Sequence, residues 1–139
     1  MTGCTFCRIV QGELPAVLVH EDERSLAFLD HRPLFPGHTL VIPRTHVATL
    51  AELPEDLLGP LFHLVQHLSR ALPQALEAEG TFVGINNRVS QSVPHLHVHV
   101  VPRRRGDGLR GFFWPRRRYA SEQEMQDIAA RIRAALASV

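Results

Sequence analysis

His95-Leu96-His97-Val98-His99-Val100-Val101 alternates imidazole with branched apolar side chains, and nothing else in the chain limits the fold as tightly. A period of two belongs to an extended strand, whose successive side chains leave on opposite faces. On such a strand Leu96, Val98 and Val100 fill a core while His95, His97 and His99 share the other face. An ordinary half-buried strand gains nothing from three neighbouring imidazoles, so that face is read as chemical. Two chemistries fit. Three imidazoles can gather a catalytic zinc that activates water, although hydrolases of that kind usually bring carboxylates and the run contains none. Alternatively, one imidazole attacks a phosphorus atom while its neighbours fix its tautomer and supply protons. His97, flanked on both sides, is then the natural attacker.

A chain of 139 residues suits one domain with a single sizeable core. Apolar residues make up 45% and charged residues 21%, a globular balance that excludes a disordered chain. The formal charge of +1 gives no global pull toward nucleic acid or membrane, so neither is expected as a partner. Arginine is unevenly spread, with seven of the fifteen between Arg103 and Arg118. No apolar stretch reaches membrane-spanning length, and the start lacks the pattern of a secretory signal. Two cysteines, as Cys4-x-x-Cys7, are too few for a disulfide scaffold. A soluble cytoplasmic protein is expected.

Residues 5–12 read as a short turn or helix. Residues 16–20 and 25–30 read as strands around the turn Glu21-Asp22-Glu23-Arg24, and residues 31–37, with two prolines and a glycine, as a loop. Residues 39–42 make a third strand, 81–85 a fourth and the histidine run a fifth. Between them, Leu58, Leu61, Phe62, Val65, Leu68, Leu72 and Leu76 recur at helical spacing over 54–79. Pro54 suits the first turn of that helix, whereas Pro73 should kink it or break it before its last turn. Ser121-Glu122-Gln123-Glu124 is a capping box opening a C-terminal helix with a stripe of Met125, Ile128, Ala129, Ile132 and Leu136. The fold expected is α+β, an antiparallel sheet with helices grouped against it.

The string Gln91-Ser92-Val93-Pro94-His95-Leu96-His97-Val98-His99-Val100-Val101-Pro102 closely resembles the signature of the histidine triad (HIT) proteins. The likeness extends to Phe28-Leu29-Asp30, to 36–43 (Pro-Gly-His-Thr-Leu-Val-Ile-Pro) and to 4–9, so that it covers residues 4–102 of a single domain spanning 1–139. It implies a five-stranded antiparallel sheet with one main helix, pairing into homodimers with a continuous sheet. It also implies a nucleotide hydrolase or nucleotidyl transferase acting at the α-phosphate of a purine nucleotide such as a dinucleoside polyphosphate or nucleoside phosphoramidate.

Carried onto this chain, the resemblance makes His97 the nucleophile, His99 its supporting histidine and His38 a fourth active-site histidine beside the phosphate. Asp30 stands where the family binds the ribose hydroxyls, a task suited to a carboxylate that accepts two hydrogen bonds. Phe28 lines the base pocket, and Asn86, Gln91 and Ser92 correspond to polar phosphate contacts. Turn capping is the competing role for Asp30 and Asn86. The segment 86–91 is two residues shorter than the family's usual glycine-containing loop, and Arg88 is placed to supply the charge that backbone amides would otherwise provide. A nucleotide-binding regulator with vestigial chemistry is the alternative function.

Cys4 and Cys7 have zinc-type spacing but make only half a site. Some histidine triad proteins, and the related galactose-1-phosphate uridylyltransferases, complete it with two histidines, which here are His46 and His95. Zinc in that set is structural, pinning the N-terminal segment and holding His95 out of catalysis. His63 and His67 lie four apart on the main helix without the glutamate of a metalloprotease, and are read as a solvated face. The arginines of 103–118 are read first as a clamp for a polyphosphate leaving group, then as a solvated charge run, and last as a nucleic-acid patch, since the total charge is near neutral. The aromatics of Gly111-Phe112-Phe113-Trp114-Pro115 have two readings: they cover a local hydrophobic gap before the C-terminal helix, or, as the resemblance implies, Trp114 lies near the partner subunit's active site, because Hint-type members reach across their dimer with a C-terminal Trp-Pro segment.

Overall fold

Short runs of branched and aromatic residues between turn signals become five strands: β1 (Leu18–Glu21), β2 (Ser25–Leu29), β3 (Thr39–Pro43), β4 (Gly80–Gly84) and β5 (Val98–Arg103). The helices are α1 (Thr5–Val10), α2 (Glu55–Leu76) and α3 (Glu122–Leu136). The computed structural model describes residues 3–109 and 116–138. Every ladder is antiparallel and the strand order is β1-β2-β3-β5-β4, the five-stranded α+β sheet expected. Residues up to Asp107 make one compact unit and those from Gly108 onward another.

The pleat sorts side chains between two layers. Ala27, Val41, Val98 and Val100 pack with Leu61, Leu64, Val65, Leu68 and Leu72 of α2. Leu26, Phe28, Leu40 and Ile42 point the other way, onto Cys4, Phe6 and Cys7 of the α1 segment. In β1 the register slips: Leu18 pairs with Phe28 but His20 with Ala27. An extra residue of this kind is a β-bulge, which re-aims the side chains that follow it.

Two boundaries differ from expectation. Helix α2 runs unbroken through Pro60 and Pro73. An interior proline costs about 3 kcal/mol, whereas each of the five buried α2 side chains contributes about 1.5–3 kcal/mol by leaving water, so packing on the sheet wins. The helix stops at Leu76, followed by Glu77 in the left-handed region with φ 55°. The second difference lies in the histidine run, where regular pairing starts only at Val98. Leu96 N–H donates instead to Val47 O at 2.7 Å, in the loop beyond β3. The alternation survives: Leu96 is fully buried in the α2 layer, while His97 meets the Phe6 ring at 5.1 Å.

In the second unit, Ser121 Oγ accepts from Glu124 N–H at 3.0 Å, and Glu124 Oε1 reaches back to Ala120 N–H at 3.0 Å. No residue of α3 is buried. Trp114 and its aromatic neighbours lie outside the described residues.

Candidate active site

One row of side chains crosses the sheet on the α1 side. Phe28 pairs with Leu40, Leu40 with His99, and His99 with Gly84, and directly opposed residues share a face. The β2–β3 ladder continues one step, with Asp30 N–H donating to His38 O at 2.9 Å, so strand parity brings Asp30 and His38 to the same face. His97, two residues before His99, joins them with ring centroids 5.0 Å apart. Asp30, His97 and His99 open onto a cavity of about 550 Å³ lined also by apolar Phe6, Ile9, Val17 and Phe28 and by polar Ser92. That volume lies within the range of small-ligand sites.

Hydrogen-bond partners assign the protons. His38 Nδ1 accepts from Leu34 N–H at 3.0 Å, so neutral His38 carries its proton on Nε2 and donates it to His99 Nδ1 at 2.9 Å. His99 therefore keeps its own proton on Nε2. In His97, Nδ1–H donates to the backbone carbonyl of His95 at 2.7 Å, which leaves the lone pair on Nε2. Asp30 Oδ1 accepts from Arg32 N–H at 2.9 Å, and Oδ2 lies 3.8 Å from His38 Nε2.

Burial disfavours the charged form of each ring. It pushes His99 down to about 4, with His97 and His38 adding to the shift. His38 and His97 are also lowered, chiefly by burial, with Asp30 opposing the shift in both. All three rings are neutral near pH 7, as a nucleophilic imidazole requires.

A second cluster lies next to the first. Cys4 Sγ and Cys7 Sγ stand 3.4 and 3.6 Å from His95 Nδ1. His46 Nδ1 is 3.3 Å from Cys7 Sγ and 3.2 Å from His95 Nδ1. A tetrahedral zinc with ordinary bond lengths requires donor separations of about 3.3 Å between nitrogens and about 3.6 Å between sulfur and nitrogen, so the four fit a metal ion. His95, wholly buried, donates Nε2–H to Pro43 O at 2.8 Å, and its Nδ1 lone pair points at the other three donors. Burial, then the hydrogen bond with Cys4, pushes the Cys7 thiol up, so a bound cation displaces a proton from it.

Phe28, Asp30, Ser92, His97 and His99 all line the cavity, and His38 is bonded to His99. Asn86 and Gln91 are not among its lining residues. The Gln91 amide holds its own loop instead, with Oε1 accepting from Arg88 N–H at 2.9 Å and Nε2 donating to Ala48 O at 2.6 Å. Arg88 and Ser90 adopt φ of 68° and 60°, the left-handed conformations by which the shortened loop turns without glycine. Arg103 is paired with both oxygens of Asp107, and Arg105 with Glu79 at 3.0 Å. Neither is among the residues lining the cavity. Sequence reasoning missed Phe6, whose ring edges touch His95 and His97. Its only signal was an aromatic residue between two cysteines.

A family model described as the HIT domain matches residues 11–106. Protein Hit of Bacillus subtilis is 39% identical over 142 residues, covering 98% of this chain and 96% of that one. The adenosine 5'-monophosphoramidase hnt1 of Schizosaccharomyces pombe is 36% identical over 115 residues, covering 81% of this chain and 84% of that one. Among solved structures, a Zn-bound histidine triad family protein from Mycobacterium smegmatis has 39% identity and a TM-score of 0.74, over 99% of this chain and 97% of that one. The match over most of its length, with the histidine run set against the cavity, means that this chain belongs to the HIT family.

Proposed function

We propose that this chain hydrolyses or transfers a nucleotidyl group at the α-phosphate of a purine nucleotide, a dinucleoside polyphosphate or nucleoside phosphoramidate, through an adduct on His97. The observation that carries the reading is the 2.7 Å bond from His97 Nδ1 to His95 O, which leaves Nε2 as the attacking atom. A relative of this chain bears the name of an adenosine 5'-monophosphoramidase, which supports the same reaction class.

In the first step the Nε2 lone pair bonds the α-phosphorus while the bond to the leaving oxygen or nitrogen breaks, its electrons going to the leaving group, and a leaving amine takes up a proton from solvent as it departs. The imidazole of the adduct becomes cationic, and the His95 carbonyl stabilises the Nδ1–H as that charge develops. His99, neutral because its pKa is about 4, donates a hydrogen bond from Nε2 to the phosphate and keeps its proton. In the second step water bonds the phosphorus, the phosphorus–Nε2 bond breaks back onto nitrogen, and the spare proton passes to solvent. Asp30 Oδ2 accepts from the ribose hydroxyls, Phe28 and Phe6 flank the base, and Ser92 serves the phosphate. Gln91 acts as a positioning residue for the loop, and Asn86 is left near it without contact to the cavity.

We assign zinc to Cys4, Cys7, His46 and His95. Four protein ligands leave no open position, so the ion cross-links the N-terminal segment and activates no water. The two free thiols fit a reducing compartment and hence the cytoplasm. Among the described residues, no helix is long and apolar enough to cross a membrane. We further assign the chain one catalytic domain, working as a homodimer through an open sheet edge.

Asp30, His38 and His99 are also grouped closely enough to hold a metal, which favours a metal-dependent hydrolase as a second reading. The 2.9 Å bond between His38 and His99 occupies two of the nitrogens that reading needs. The test is to incubate the protein with α-phosphate-labelled adenosine phosphoramidate or diadenosine polyphosphate and quench in alkali. Label on wild type but not on His97→Ala supports the adduct. Full turnover by His97→Ala without label overturns it, and chelator-sensitive turnover in that variant establishes the second reading.

A further inference from the structure

On the α2 side of the sheet, away from the catalytic cavity, a second concavity of about 420 Å³ collects Val19, His20, Asp22, His63, Leu64 and His67. Three of the chain's nine histidines meet here. His63 and His67 are exposed on consecutive turns of α2, with ring centroids 4.1 Å apart, the spacing by which one helix face offers two nitrogens to one ion. His20 faces the same concavity because of the β1 bulge. Unbroken pairing from Leu18 and Phe28 would set His20 opposite Leu26, on the catalytic face, whereas the slipped register pairs it with Ala27, on the α2 face. A single inserted residue has turned this imidazole from one side of the sheet to the other.

Asp22 prepares His20 as a ligand. Its Oδ2 accepts from His20 Nε2 at 2.9 Å, which leaves Nδ1 with the lone pair, and its Oδ1 is fixed by Arg24 and Ser25 N–H at 2.8 and 2.9 Å. A carboxylate behind a histidine is the usual outer support of a metal-bound imidazole.

We propose that His63, His67 and His20 form a divalent transition-metal site, separate from the thiol–imidazole cluster and from the catalytic histidines. An all-imidazole donor set on exposed side chains selects late first-row ions such as Ni²⁺, Cu²⁺ or Zn²⁺ over Mg²⁺ or Ca²⁺. The three donors are not gathered within 4.8 Å as those of the two tighter clusters are. Closing on an ion requires rotation of the exposed His63 and His67 side chains toward the His20 ring that Asp22 holds. Once bound, the ion ties edge strand β1 to α2.

The experiment titrates Ni²⁺ into the zinc-loaded full chain, followed by calorimetry and visible absorption, in wild type, His63→Gln with His67→Gln, His20→Gln and Asp22→Asn. Asp22→Asn keeps the Oδ1 acceptor of the turn, and circular dichroism checks the fold of every variant. Wild type should bind one more Ni²⁺ per chain than the double variant. His20→Gln and Asp22→Asn should retain that equivalent at about tenfold lower affinity. Equal uptake by wild type and the folded double variant overturns the site, and unchanged affinity in His20→Gln overturns the three-imidazole assignment.

Discussion

His38 Nε2 stands 2.9 Å from His99 Nδ1, and this bond decides which nitrogen of each ring carries a proton. Without it the His99 ring is free to present a lone pair, rather than N–H, to the phosphate. His38→Ala should therefore lower kcat by at least about tenfold, and His99→Ala by about a hundredfold, with KM changing much less. Steady-state kinetics on the phosphoramidate provide the check, and a His99→Ala enzyme with wild-type kcat would remove this ring from the mechanism.

Asp30→Asn keeps the oxygen that accepts from Arg32 N–H and replaces Oδ2 with an NH2 donor, removing both the charge and the acceptor assigned to the ribose. Hydrogen bonds to a charged group contribute about 1.5–3 kcal/mol, so KM should rise about tenfold or more. Wild type should discriminate strongly against 2'-deoxy and 3'-deoxy substrates, and the variant weakly. Equal discrimination by both proteins would contradict the ribose assignment.

The pH dependence of stability has a definite sign. His99 is lowered from 6.5 to about 4 in the fold, and His38 is lowered as well, so between those values the unfolded chain binds more protons than the native one. Stability therefore falls as pH drops through this window, and the slope from these rings fades once the pH is about one unit above 6.5. Urea midpoints at pH 7.5, 6 and 5 should decrease in that order. In His99→Phe the loss between pH 6 and pH 5 should be smaller.

Cys4→Ser combined with Cys7→Ser should lose about one zinc per chain and release the α1 segment to proteolysis. Adduct formation on His97 should persist at a reduced rate, because the nucleophile itself is not a ligand. Metal analysis of protein purified without chelators, beside limited proteolysis, reads both effects. A metal-free wild type of unchanged stability would refute the zinc assignment.

Gly37 precedes His38 with φ +99°, and a Cβ there would run into Leu76 Cδ1 of α2. Gly37→Ala should destabilise the fold by about 1–3 kcal/mol, seen as a lower denaturation midpoint. If the midpoint is unchanged, the loop has room that the structure does not give it.

Much of this was legible from periodicity. Apolar alternation marked the strands, and the His97–His99 spacing placed both rings on one face. Sequence spacing could not show that Asp30 and His38 oppose one another at the end of a ladder, because that depends on pairing register. That Pro73 does not break α2 was hidden for a related reason: local helix propensity cannot register the packing of Leu68 and Leu72 that overrides it. The His20 cluster was invisible because a bulge, which no residue of β1 announces, decides which face the ring takes.

The two faces of β5 set different tolerances along the neighbouring chain. The loop at Arg88 and Ser90 lies before the alternating stretch and can lose residues while its ends stay in place. Deleting one residue between Pro94 and His97 would instead turn Val98 toward the nucleotide cavity and press His99 into the layer under α2. Core and chemistry would be lost in the same event. Natural variation in length should therefore accumulate before Val93 and cease abruptly after it, a boundary imposed by the pleat itself.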